Sequence, residues 1–501
     1  MPRRDISRPM IDWVFDELRY KAKIHEDTGA VVVYTGHIVK SETIVPESLK
    51  LELQAAVAAL EDVPDWHKDW HPGSNSTVLD LVHPSLYPLV FGRTRVLETG
   101  NTSLEDCIAR CGEGQVTQIP SKEEIIIKRD NRLMIEGLYS QNFQWLPCMV
   151  DISGKHAKYV QNLRPAHVAH ISSPLRITSY INNLHPVKYK GLYGFIERVI
   201  DAAIPLWNIS LKRNHDYLRI QYRRSLDDLI EQPEPGVFKP PPSYGHDSAS
   251  TNLKDAWFIR HGLQIIVKLT NIQLTPENPS YEGGSWHVDG QLVSFICFLS
   301  ENLINTLVQN DHICATAQYY YSDENIETSY ITFRQMSATK MASHIQYESN
   351  YHDWLPAIFG CEQGESGVQV VGSVETREGR LLTFPNIFQH EAQPFSLVDP
   401  KKPGHHKILT LYLVDPSFPI LSTANVPCQQ RDWWKDHILH LGTGLDRLPV
   451  ELQDAVFEGV TDAFPLGLDE AKDLRLKLMD DRKALSIKQD AAFKASEFSL
   501  F

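Results

Sequence analysis

The chain has 501 residues, 42% hydrophobic and 22% charged, a globular composition long enough for more than one packed unit and unlike that of a disordered chain. Its formal net charge of −14 excludes a general nucleic-acid-binding or anionic-membrane surface, since both need a positive field. The seven cysteines are scattered and odd in number, which predicts reduced thiols in a cytoplasmic protein, and the first ten residues, MPRRDISRPM, carry no apolar run of the signal-peptide kind.

In chain order, AVVVYTGHIV (30–39) predicts a strand, and PESLKLELQAAVAALEDV (46–63) has the apolar spacing of a helix. Residues 1–130 read as an α/β region, and 131–254 as a helical region around GLYGFIERVIDAAIPLWNISL (191–211). The latter ends in a Pro-, Ser- and Gly-rich loop at 231–250. Cys107 and Cys111 have the spacing of one helix face, but no second close pair completes a zinc site.

Between 255 and 416 the texture becomes short β-type runs, at 263–274, 312–321, 329–336, 367–374, 379–384 and 407–415, separated by turn residues. This predicts an antiparallel sandwich or barrel, and the fold class expected is α+β: a double-stranded β-helix (jelly roll) core, a mixed α/β N-terminal region and a helical C-terminal extension over 417–501. The most apolar stretch, LVSFICFLSENLINTLV (292–308), contains Glu301 and is short for a membrane span.

Within the β-rich part lies YEGGSWHVDG (281–290). A histidine followed two residues later by a carboxylate should arise by chance roughly two or three times in a chain with 21 His and 63 Asp+Glu, and it occurs three times, so spacing alone decides nothing. Context separates the three. His25/Asp27 reads as a solvated turn before Gly29, and His67/Asp69, with His71 in line, sits in a Trp-rich loop that lacks a strand framework. His287 and Asp289 lie on a strand or its end, where period-two alternation puts both on one face, and Gly283 and Gly284 allow a sharp bend beside them. His390, after the GRLLTF strand, supplies the third ligand. Two histidines and one carboxylate on one side of a β-barrel form the facial triad of non-haem Fe(II) oxygenases, whose other face stays open.

GRLLTFPN, His390, Pro394 and PGHHKILTLYLVDP resemble the C-terminal half of the prolyl-4-hydroxylase type of Fe(II)/2-oxoglutarate dioxygenase. Segments such as DWHPGSNSTVLDLVHPSLYPLVFGRTRVL, SYINNLHPVKY and ILSTANVPCQQRDWW make the whole chain similar to a fungal family with an uncharacterised full-length domain. The resemblance implies Fe(II) on His287, Asp289 and His390, with 2-oxoglutarate as co-substrate. It also departs from the pattern. His406 stands where an arginine is expected to hold the distal carboxylate, with Lys407 beside it as the alternative anchor, and Asp289 replaces a frequent Glu. Residues 292–309, and also 155–174, read as insertions. The expected activity is oxygenation of an unspecified small-molecule or peptide substrate. The alternatives are a jelly roll that binds a ligand or partner without turnover, and an iron oxygenase that uses no 2-oxo acid.

Overall fold

The computed structural model describes residues 7–34, 37–121, 127–129, 133–135, 140–154, 175–211, 236–239, 253, 261–290, 311–336, 352, 355–358, 360–442, 444–459 and 465–495. Both expected insertions fall outside these residues, as does most of the Pro-rich loop.

The chain opens with helix α1 (Arg8–Thr28), capped by the Ser7 hydroxyl, which accepts from Met10 N, and stopped by Gly29 in the left-handed region. The expected first strand divides into β1 (Val31–Val33) and β2 (Ile38–Ser41), and helix α2 (Glu47–Glu61) follows as the spacing predicted. Then come β3 (Val78–Val82), β4 (Cys148–Asp151), β5 (Arg176–Ile177) and helix α3 (Lys190–Ser210). Cys107 and Cys111 lie in successive turns rather than on a helix.

The β-rich part contributes β6 (Leu263–Leu274), β7 (Ser280–Tyr281), β8 (Ile313–Glu324), β9 (Ser329–Met336), β10 (Val368–Thr376), β11 (Leu381–Pro385), β12 (Gln389–Ala392), β13 (Phe395–Ser396) and β14 (Gly404–Val414). A large antiparallel sheet runs β1-β2-β11-β8-β14-β6-β4-β5, with β3 also pairing β6. A smaller one runs β10-β9-β12, and β7 pairs β13 beside it. The tail is helical: α4 (Arg431–His440), α5 (Val450–Glu458) and α6 (Leu468–Lys494).

Strand β6 is buried almost throughout because both of its faces are covered. On one face Ile265, Val267 and Leu269 pack with Leu49, Leu53 and Val57 of α2 and with Ile196, Ile200 and Trp207 of α3. Ile266, on the other face, packs with Tyr412 and with Leu474 and Leu478 of α6. Farther along the large sheet, Tyr320, Leu382 and Phe384 meet Ile331, Phe333 and Val374 of the small sheet. The molecule is thus layered as helices, large sheet, small sheet. Residues from both sides of the 130 and 254 boundaries share the helix-side core. The structure is a mixed α/β one with antiparallel sheets and helices, and no helix among the described residues is long and apolar enough to cross a membrane.

Candidate metal centre

The site begins with a close backbone approach. Gly283 has φ +88°, and a Cβ there would come within 2.8 Å of the Ala392 carbonyl oxygen, so a side chain would push the 280–290 segment off its neighbour. Without one, Gly284 N donates to Ala392 O at 2.8 Å, and His287 and His390 exchange backbone bonds in both directions, at 3.1 and 2.8 Å. The two histidines are therefore placed side by side by the main chain rather than by a loop. Their ring centroids are 4.4 Å apart.

Asp289 continues the alternation onto the same face. Its backbone N donates to Asn386 Oδ1 at 2.9 Å and its carbonyl accepts from Asn386 Nδ2 at 2.6 Å, while Thr316 of β8 donates its hydroxyl to Asp289 Oδ2 at 2.6 Å. The carboxylate thus has a fixed direction, as ligating carboxylates usually do. Its oxygens lie 4.0 Å from His287 Nε2 and 3.7 Å from His390 Nε2. These gaps are too wide for hydrogen bonds, but two metal–ligand bonds of about 2.0–2.2 Å can bridge them.

The protonation pattern suits an ion. His287 Nδ1 lies 2.6 Å from the Ser285 carbonyl, which can only accept, so Nδ1 carries a proton and the neutral ring has its lone pair on Nε2. Burial pushes the His390 imidazole down to about 4, against the opposing field of Asp289, so it is neutral at pH 7. Two imidazoles and one carboxylate form a donor set that fits a divalent first-row ion. His287 is the accessible member, with 41% of its side chain exposed, against 3% for His390. Next to it Trp286 stacks against the Arg334 guanidinium, 4.2 Å from the ring centroid.

The other two expected site residues lie elsewhere on β14. Lys407 points to the helix side of the large sheet and pairs with Glu61 of α2 at 2.7 Å. His406 faces the small sheet, 3% exposed, but bonds Asp323 at 2.5 Å and stacks on Tyr320. Lys407 is therefore not brought beside the triad, and His406 already has an anionic partner.

A second His–Asp–His group, His71, Asp80 and His83, is one that motif spacing did not reveal. A hairpin closes it: the Trp70↔Leu79 bridge and the Asp80 N to Asp69 O bond bring His71 against Asp80. His71 Nδ1 donates to Asp80 Oδ2 at 2.7 Å, and Arg475 of α6 lies 3.8 Å from the same oxygen while holding Asp69 in a fork at 2.6 and 2.9 Å. His67 is exposed against Trp66 and Asp69 belongs to Arg475, so the line His67/Asp69/His71 does not form a cluster. The legible signal was His-x8-Asp-x2-His, too loose to notice without the hairpin.

Helix α6 ties the edges of this region together through Arg475 to Asp69, Arg482 to Asp311 and Asp490 to Arg334. Arg482 also covers Trp145, 3.6 Å from the ring centroid.

Among solved structures, a rice dioxygenase for auxin oxidation aligns over 81% of this chain and 80% of its own, at 12% identity and a TM-score of 0.26. The Fe(II)/α-ketoglutarate-dependent dioxygenase TqaL aligns over 31% of this chain and 43% of its own, at 12% identity and a TM-score of 0.18. EvdO2 from Micromonospora carbonacea, solved with 2-oxoglutarate, aligns over 30% and 52%, at 7% identity and a TM-score of 0.14. At such scores the likeness carries no weight for activity, and for TqaL and EvdO2 the alignment spans only about half of the matched chain or less. No curated protein matches the chain in sequence. The model of one family does match, over residues 8–437, and the chain belongs to that family, the protein of unknown function DUF4246.

Proposed function

We propose that the protein is an Fe(II)- and 2-oxoglutarate-dependent oxygenase built on a double-stranded β-helix, with His287, Asp289 and His390 as the iron ligands. The observation that carries this reading is the open triad: two imidazoles paired through their backbones and a carboxylate oriented by Thr316 and Asn386, at separations that leave room for an ion. The strand order supports the fold. The order β11-β8-β14-β6 within the large sheet, with the three-stranded sheet β10-β9-β12 packed against it and the β7-β13 pair beside that, is the arrangement expected of a jelly roll.

Bound iron, with 2-oxoglutarate and O₂, supplies the oxidising chemistry for a substrate C–H bond. The protein's part is positional. Ser285 sets the tautomer of His287, Thr316 and Asn386 hold Asp289, and Phe333 and Phe384, 6.2 and 4.9 Å from the His390 ring, form a dry wall behind it. The exposed edge of His287 and the Trp286–Arg334 stack line the side from which a substrate approaches.

The test is anaerobic Fe(II) titration followed by succinate formation from 2-oxoglutarate, with wild type and Asp289→Ala. Succinate that depends on iron and on Asp289 supports the reading. Iron binding without succinate under any substrate leaves an oxygenase of another kind, and no iron binding leaves a ligand-binding jelly roll.

A further inference from the structure

We infer that Lys268, on the first strand of the large sheet's β-rich part, is the cation that holds the distal carboxylate of the 2-oxo diacid, in place of a residue of the last strand. This rests on the reading of the triad as a 2-oxoglutarate site. A dianion chelated at one end by iron needs a fixed positive partner at the other, because burying a carboxylate unpaired is costly.

The candidates on β14 are spent: Lys407 on Glu61 at 2.7 Å and His406 on Asp323 at 2.5 Å. The register shows which cation faces the triad's side of the sheet. Thr316, which bonds Asp289, pairs with Tyr412, and Tyr412 pairs with Ile266, so these three make one rung. Side chains alternate, so the next rung on the same face is Gln318, Thr410 and Lys268, and the one after it is Tyr320, Ile408 and Thr270. Packing fixes that face as the inner one: Ile266 lies with Tyr412, and Tyr320 lies with Phe333 of the opposite sheet. Lys268 is therefore displaced from Thr316 by two strands and one rung, about 10 Å across and about 7 Å along, before its own long side chain is counted.

Two further observations point to an anion there. Lys268 is partly buried in the middle of the strand, yet among the described residues it forms no ion pair within 4.0 Å. Asp80 feels its field, but at greater range, and already has His71 at 2.7 Å and Arg475 at 3.8 Å. Next to it, Thr270 is 8% exposed and its buried hydroxyl oxygen has no hydrogen-bond partner among the described residues. Thr410, 6% exposed, stands directly across from Lys268. A lysine flanked by two buried threonine hydroxyls is a chemically complete receptor for a carboxylate.

The experiment uses the full chain loaded anaerobically with Fe(II) and compares two ligands by calorimetry, 2-oxoglutarate and pyruvate, which lacks the distal carboxylate. The wild type should prefer 2-oxoglutarate. Lys268→Met should lower that preference about 10–100-fold, the worth of a charge-assisted hydrogen bond, with pyruvate and iron affinities unchanged. Lys268→Arg should restore most of it, while Lys407→Met and His406→Gln should leave it intact. Because the readout is a ratio within one variant, a partly unfolded preparation does not alter it. A preference that survives Lys268→Met, or that collapses in Lys407→Met or His406→Gln, overturns the assignment. If the iron-loaded wild type binds pyruvate and 2-oxoglutarate equally, the anchor falls while a 2-oxo acid site stands. If it holds iron but binds neither, the co-substrate reading falls with it.

Discussion

Among the described residues there are two His–Asp–His groups of similar compactness, and they are chemical opposites. In His287/Asp289/His390 the ring nitrogens facing the carboxylate stand 3.7 and 4.0 Å away, and the far nitrogen of His287 donates its N–H to the Ser285 carbonyl. In His71/Asp80/His83 the proton of His71 points at the carboxylate, 2.7 Å away. Ser85 N donates to His83 Nδ1 at 3.2 Å, which leaves the His83 proton on Nε2 and no lone pair there for a metal. Arg475 adds a positive charge at 3.8 Å. Burial opposes the charge on Asp80, but its imidazole neighbours His83 and His71 and the field of Lys268 hold the carboxyl well below the usual carboxylate range. One group presents lone pairs to a shared centre, and the other presents protons to a buried anion. Residue type and spacing do not distinguish them; the partner of the outward nitrogen does.

The comparison breaks most decisively at Asp289. Asp289→Ala should abolish tight Fe(II) binding, because two imidazoles alone rarely retain the ion, and the loss is read by anaerobic titration. Metal retained in that variant and lost in His71→Gln would invert the assignment of the two groups.

Asp80→Ala should act on folding instead. It strands the His71 donor and unbalances Arg475, so about 3 kcal/mol of stability should be lost in urea unfolding, with the iron affinity of the remaining folded protein unchanged. The acid response should divide between the groups. Burial pushes the His83 imidazole well below its ordinary value, so in this range the unfolded chain binds a proton that the folded chain does not. Stability therefore falls as pH drops below about 6.5, by about 2 kcal/mol per such histidine between pH 7 and 5. His390, lowered to about 4, contributes in the same direction. His83→Gln should remove its share of that slope from metal-free protein; an unchanged slope would show that His83 is already protonated in the fold.

A smaller effect belongs to Thr316→Val, which removes the hydroxyl that orients Asp289 and should weaken iron binding about tenfold, in the range seen when groups behind a metal ligand are lost. His67→Ala should change neither iron affinity nor stability measurably, since that ring is exposed against Trp66.

Helix and strand identities were largely legible. Apolar periodicity located α2 and α3, the expected helical extension over 417–501 contains α6, and the β-type runs at 263–274 and 329–336 coincide with β6 and β9. These are local properties: side-chain period and turn residues are set by neighbours a few positions away. The same locality put His287 and Asp289 on one face, and the Gly-Gly bend before them is where β12 approaches.

What tertiary structure alone decided is which partner each polar group meets. Lys407 and His406 are adjacent on one strand, yet one turns to Glu61 on a helix 346 residues away in sequence and the other to Asp323 on the neighbouring strand. Arg475 reaches Asp69 across 406 residues, and Asn386 reaches back 97 to hold Asp289. Lys268 became a candidate only when strand register placed it on the face of Thr316, two strands and one rung away. Hydrophobic pattern specifies the face on which a residue lies. The charge or hydrogen-bond partner opposite that face is contributed by a distant segment whose position depends on packing, and a lone cation, a satisfied one and a metal ligand look alike until that segment is in place.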